Sequence, residues 1–141
     1  MKPTYFGLTI LALQTLAPIA AAEPESTAAI PAGLPSCTTR AENFEQNVVT
    51  CSLSGTGKTQ RFRFQANFSG GHDDTEASMV PRLDGQDLSC DDGGKLYLFG
   101  EDGDVSLECR FTLQANSHQQ VLEVTISWTH AEYTDATLEA M

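Results

Sequence analysis

Histidines, cysteines and a run of carboxylates are the side chains through which this chain could react or bind. His72 lies in Gly70-Gly71-His72-Asp73-Asp74-Thr75. An imidazole beside carboxylates suits proton transfer or a divalent cation. Neighbouring loop residues rarely hold the fixed geometry that acid–base catalysis needs, and no nucleophile sits in a strained elbow. A solvated acidic turn is the expectation there. His118 falls in a turn. His130 continues the inward face of the last alternating run, where a half-buried, hydrogen-bonded imidazole is the ordinary outcome. No catalytic residue is therefore assigned, and the chain reads as a non-enzyme with no cofactor and no metal.

Asp102, Asp104, Ser106 and Glu108 recur at every second position, which sets four oxygen ligands on one face of a strand. That spacing resembles the opening of a calcium loop. The pattern then breaks, because Leu107 and Leu113 stand where the glycine and the bidentate glutamate belong. A hairpin turn with a polar outer face fits better. Paired carboxylates could also serve glycoside hydrolysis, but a domain this small rarely builds the cleft.

The four cysteines, Cys37, Cys51, Cys90 and Cys109, allow three pairings. No two are close enough in sequence for a zinc knuckle or a redox motif. Register gives a preference. If Ser36 to Arg40 runs antiparallel to Val48 to Gly55 around Asn43-Phe44-Glu45, Cys37 faces Cys51. A turn at Gly100 to Gly103 sets Phe99 opposite Asp104 and hence Gly94 opposite Cys109, with Cys90 just across a Gly-rich turn. Opposed antiparallel positions lie at disulfide distance, so Cys37–Cys51 and Cys90–Cys109 are expected.

The elements that carry these residues alternate with period two. Phe62, Phe64, Ala66 and Phe68 form one such series; Val105, Leu107, Cys109, Phe111 and Leu113 another; Leu122, Val124, Ile126 and Trp128 a third. Half-buried antiparallel strands have this pattern. Turn signals such as Asp84-Gly85 and Gly100-Glu101-Asp102-Gly103 separate the runs. About seven short strands with frequent turns predict an all-β fold, a small antiparallel sandwich or barrel with two disulfides. Pro81 interrupts its run and predicts an edge strand or a bulge.

Residues 1–22 read as a signal peptide: Lys2, an apolar stretch from Tyr5 to Leu16, Pro18, then Ala20-Ala21-Ala22 before Glu23. The apolar stretch is too short to span a bilayer. Residues 23–35 read as a disordered linker, 36–132 as the sandwich domain, and 133–141 as a C-terminal tail, either frayed helix or disordered. Cleavage near Ala22 would place the protein in a secreted or periplasmic setting, where thiols oxidise.

The net charge of −11 would become −12 on loss of Lys2. So acidic a chain, with few and scattered Lys and Arg, is excluded from phosphate-neutralising nucleic-acid binding. No membrane insertion is expected, and composition sets no oligomeric state. The acids concentrate between Asp73 and Glu108, opposed in that stretch only by Arg82 and Lys95. Asp73, Asp74, Asp91, Asp92, Glu101, Asp102 and Asp104 fall in turns, where binding surfaces usually lie. They are the candidate partner-binding residues, and the partner expected is a basic protein.

The first functional reading is thus an exported binding or inhibitor module. The second is a structural or assembly component of a cell envelope or surface complex, using a strand edge near Pro81. The third is a small hydrolase. The stretch Ser52-Leu53-Ser54-Gly55-Thr56-Gly57 is similar to the Ser/Gly-rich loop of bacterial periplasmic lysozyme inhibitors, but it lacks the aromatic residue that follows there. That likeness implies no more than a kind of fold. Asn67-Phe68-Ser69 is a formal glycosylation sequon.

Overall fold

A computed structural model describes residues 35–141. The expected signal peptide (1–22) and linker (23–35) lie outside the described residues, apart from Pro35. Nine strands follow in order: β1 (Ser36–Asn43), β2 (Gln46–Leu53), β3 (Gln60–Gly71), β4 (Glu76–Leu83), β5 (Gln86–Asp87), β6 (Tyr97–Phe99), β7 (Gly103–Leu113), β8 (Gln120–Thr129) and β9 (Glu132–Ala140). A 3-10 turn, Asp91–Gly93, lies between β5 and β6.

The strands form two antiparallel sheets. One runs β1-β2-β8-β4-β5, with β6 also paired to β4; the other runs β7-β3-β9. The three alternating series read from sequence supply the core between them. Phe62, Phe64, Ala66 and Phe68 of β3 meet Leu122, Val124, Ile126 and Trp128 of β8 in one cluster. Phe62 and Phe111 stack with centroids 5.5 Å apart. Each such aromatic removes apolar surface worth about 1.5–3 kcal/mol from water. The sandwich expectation is met.

Both disulfides form as the register argument required, Cys37–Cys51 and Cys90–Cys109. Cys37 faces Cys51 across the β1–β2 hairpin. The second bridge has a different context from the expected hairpin. Lys95 and Glu108 do make an isolated bridge in that register. Beyond it, β6 leaves β7 and pairs with β4, setting Phe99 beside Glu76 and Tyr97 beside Ser78. The segment from Cys90 to Phe99 therefore crosses from one sheet to the other and closes one side of the sandwich. Gly94, at φ 64, lies where a side chain would crowd Cys90 and the Glu108 carbonyl.

Three expectations are corrected. The C-terminal residues 133–141 are no tail: Glu132–Ala140 is a strand paired to β3 from Ser69↔Glu132 to Phe62↔Ala140. The last strand was hidden by a register shift at Asn67/Phe68. There Thr134 bulges, and its hydroxyl donates to the Asn67 carbonyl at 2.9 Å. Pro81 does not mark an edge, because β4 lies between β8 and the short strands β5 and β6. The missing N–H is tolerated because it falls in the gap between β5 and β6, beside which Leu88 N–H donates to the Pro81 carbonyl at 3.1 Å. His130 does not continue the inward face of β8. It takes φ 57 in the reversal after Thr129, and its imidazole is turned out, 57 % exposed.

Asp84, at the β4–β5 turn, accepts from Val121 N–H at 2.9 Å and from Gln120 at 3.1 Å. The Val121 backbone bond first, and the Gln120 bond second, hold its carboxyl below the usual value. A depressed folded pKa stabilises above the unfolded pKa and is lost as pH falls through the folded one. Wild type is therefore expected to lose stability below about pH 4 more steeply than Asp84→Asn. Denaturant midpoints of both proteins between neutral and acid pH check this; parallel curves would remove Asp84 from the account.

Candidate acidic site

Each strand crossing carries the chain from one end of the sandwich to the other. The turns after β1, β3, β6 and β8 consequently share one end. The loops after β2, β4 and β7 share the opposite one. The first end gathers Asp73 and Asp74 from the β3–β4 loop, and Glu101, Asp102 and Asp104 from the β6–β7 turn and the start of β7. Glu76 of β4 flanks them.

The two loops touch. Gly100 N–H donates to the Thr75 carbonyl at 2.8 Å. Gly71 pairs with Gly103, and a side chain at Gly71 would collide with the Glu101 carbonyl. Glycine is the residue that permits this approach.

The β8–β9 turn joins through Thr75, which is fully buried. Its hydroxyl accepts from His72 N–H at 2.8 Å and donates to the His130 carbonyl at 2.5 Å. Above this knot, Asp74 lies between two imidazoles. One carboxylate oxygen contacts His72 Nδ1, and the other lies 2.9 Å from His130 Nδ1. The two rings are nearly parallel, with centroids 6.1 Å apart. His72, Asp73 and Asp74 bring one potential ligand atom each within 4.8 Å of one another, all on exposed residues. Sequence reading set His130 on the inward face of its strand and so missed its meeting with Asp74, 56 positions away. The signal that could have found it is the count of strand crossings, which puts the turns after β3 and β8 at one end.

The seven candidate residues do not all converge. Asp91 and Asp92 stand apart, beside the β7 edge that residues 90–95 cover, where Asp91 accepts from Thr112 Oγ1 at 2.9 Å. With Lys95, Glu108 and Arg110 they line a separate shallow hollow. At the acidic end, Lys95 reaches Glu101 at 2.8 Å. The other described Lys and Arg side chains lie on the sheets or at the opposite end. Asp102 and Asp104 form no ion pair among the described residues and are exposed. The calcium-like series is divided: Glu108 is engaged by Arg110 at 2.9 Å and by Arg63 at 4.0 Å, well along β7 from Asp102.

No family model, curated protein or solved structure matches this chain. The Ser/Gly-rich stretch at 52–57 packs at the opposite end, where Gly57 N–H donates to the Asn116 carbonyl at 2.7 Å. It is thus remote from the carboxylates. His118 sits in the same region, its N–H donating to Asn116 Oδ1 at 3.1 Å. Asn67 of the sequon lies on the middle strand of its sheet and donates to Asp135 at 2.7 Å. The two disulfides fit an extracellular or periplasmic location.

Proposed function

We propose that the protein is an exported, non-enzymatic binding module whose acidic end docks a basic protein. One observation carries the reading: carboxylates from separate turns converge on one end of the sandwich, with Lys95 the one ammonium among them in the described residues. Loops held by a scaffold are where recognition surfaces are built. A single-sign surface speeds encounter with an oppositely charged partner and sets orientation. A binding role also accords with the polar groups here. Both imidazoles point Nδ1 at Asp74, and the Thr75 hydroxyl is buried and fully engaged. Export by a cleaved signal near Ala22 belongs to the same proposal.

The test is binding to a cationic lysozyme-type enzyme as salt is raised. Affinity is expected to fall steeply between low salt and about 1 M, where screening shortens to about 3 Å. Asp102→Asn with Asp104→Asn is expected to weaken binding several-fold, as removal of charge from a steering surface does. Asp91→Asn with Asp92→Asn, away from this end, is expected to leave it nearly unchanged. Salt-insensitive binding, or equal effects of the two double variants, would sink the reading.

A further inference from the structure

The two sheets match on one side of the sandwich and not on the other. On the matched side, residues 90–99 carry the chain from the β7 edge to β4. On the other side, β1 extends the larger sheet past β9, the last strand of the smaller one. Cys37, Thr39 and Ala41 show the mismatch. They pair with Cys51, Val49 and Asn47, whose side chains are buried on the core face. Residues opposed in an antiparallel pair share a face. Every residue of β1 is nevertheless exposed. β1 thus presents the core face of its sheet with no strand beneath it among the described residues.

Part of the space under β1 is a hollow of about 420 Å³. Ala41 and Asn47 form one wall, and Glu132 and Tyr133 of β9 form the other. The Tyr133 phenol reaches Thr39 and Asn47. Phe44, at the tip of the β1–β2 hairpin and 99 % exposed, stands at the mouth. No basic side chain lines the hollow. Beside it runs β9, nine residues long and paired to β3 on one side only. Its other side offers unpaired N–H and C=O groups among the described residues. Of the β9 carboxylates, Glu139 is paired with Arg63 at 2.9 Å. Asp135 is bonded by the neutral Asn67 amide, and Glu132 lines the hollow. Neither meets a Lys or Arg among the described residues.

We infer that the β9 edge receives an extended strand of the basic partner, which completes the smaller sheet beneath β1. The proposal rests on the basic-partner reading and makes it specific. A strand laid against β9 takes up its unpaired backbone groups, and those bonds supply affinity whatever the side chains. Its alternate side chains point in turn to the core face of β1 and to solvent. Inward positions suit small or β-branched residues, because Cys37, Thr39 and Ala41 stand over them across the ordinary spacing of two packed sheets. Outward positions suit Lys or Arg beside Asp135, since opposite charges across a strand pair attract and like charges repel. Phe44 is placed to cover the end of the added strand, as exposed aromatics do at interfaces. The acidic end, which adjoins the hollow at Glu132, steers the partner toward this edge.

The probe is an octapeptide of alternating Lys and Thr. Its comparison is a block peptide of the same composition, Lys in the first half and Thr in the second, with equal charge but no two-faced strand. Both are titrated into the protein at one low salt concentration. The alternating peptide is expected to bind at least about 10-fold more tightly, the scale of a few net hydrogen bonds. Methylation of its backbone nitrogens keeps charge and side chains but removes the donors, and is expected to abolish the preference. Amide hydrogen exchange locates the contact: β9 gains protection with the alternating peptide and none with the block peptide. Asp102→Asn with Asp104→Asn is expected to weaken both peptides alike and to keep the preference. Equal affinity without protection of β9 overturns the strand site and leaves the acidic-end reading standing. No binding of either peptide overturns both. If β9 amides turned away from β3 are already protected before peptide is added, another stretch of the chain or a second copy holds the edge, which overturns the strand site as well.

Discussion

Replacing Cys109 by Ala is expected to lower the free energy of unfolding by about 2–5 kcal/mol. The partners are 19 residues apart in sequence, so the crosslink restricts a sizeable loop of the unfolded chain. The folded state loses more than a covalent bond. Cys90 to Phe99 is the segment that passes between the sheets, and Cys109 is its anchor in the core, 1 % exposed. Short strands β5 and β6 have little pairing of their own to hold them. A loss of this size is a large share of the 5–15 kcal/mol by which a domain is ordinarily stable. Denaturant unfolding under non-reducing conditions measures it, with Cys90→Ala/Cys109→Ala alongside so that no free thiol confuses the result. Non-reducing peptide maps of wild type should show Cys37 linked to Cys51 and Cys90 to Cys109. A double variant with the wild-type midpoint would mean that the segment holds without its bridge.

Thr75→Val is expected to cost about 1–3 kcal/mol, the usual penalty for stranding hydrogen-bonding groups. Valine nearly matches the shape of threonine, so little cavity is made. What disappears is the hydroxyl that joins the β3–β4 loop to the β8–β9 turn. The expected consequence reaches function as well. With His72 and His130 no longer tied, Asp74 loses its fixed place between them, and affinity for a cationic protein falls. Thr75→Ser keeps the hydroxyl and should recover most of both losses. Urea unfolding together with binding at low salt checks this. A Val variant that equals wild type in both would show that the loops are held by other contacts.

Much of the architecture is legible in the amino-acid sequence, because β3, β7 and β8 each present one unbroken alternating face to the core. The register of Cys37 and Cys51 is legible for the same reason: one short turn fixes every later pair. β9 is not legible. Its inward residues are Tyr133, then Ala136 and Leu138, which change parity across the bulge at Thr134. A period-two search reads that change as noise. The pairing of β6 escapes because turn arithmetic specifies a hairpin, whereas the packing of Leu98 into the core draws the strand toward β4.

The site is legible as composition and not as shape. A contiguous acidic run from Asp73 to Glu108 is divided in space, since residues 90–99 pass along the β7 edge and carry Asp91 and Asp92 away. A hollow on the outer face of the larger sheet is likewise invisible in sequence, because its lining comes from β1, β2, β4, β8 and the Glu45 turn. His130 is misplaced because alternation cannot say where a strand stops.

The side closed by residues 90–99 has an open counterpart, where β1 and β9 each pair with a neighbour on one side only. Bare strand edges are templates on which further chains can grow. Here the two edges are ill suited to copying themselves. Along β9, Glu132, Asp135 and Glu139 recur, so a second β9 laid beside the first would set carboxylate near carboxylate. Along β1, Arg40 and Glu42 already satisfy each other, and every position is exposed, leaving no apolar row for a second copy to cover. These two open margins are thereby guarded against strand-by-strand growth, even at high protein concentration.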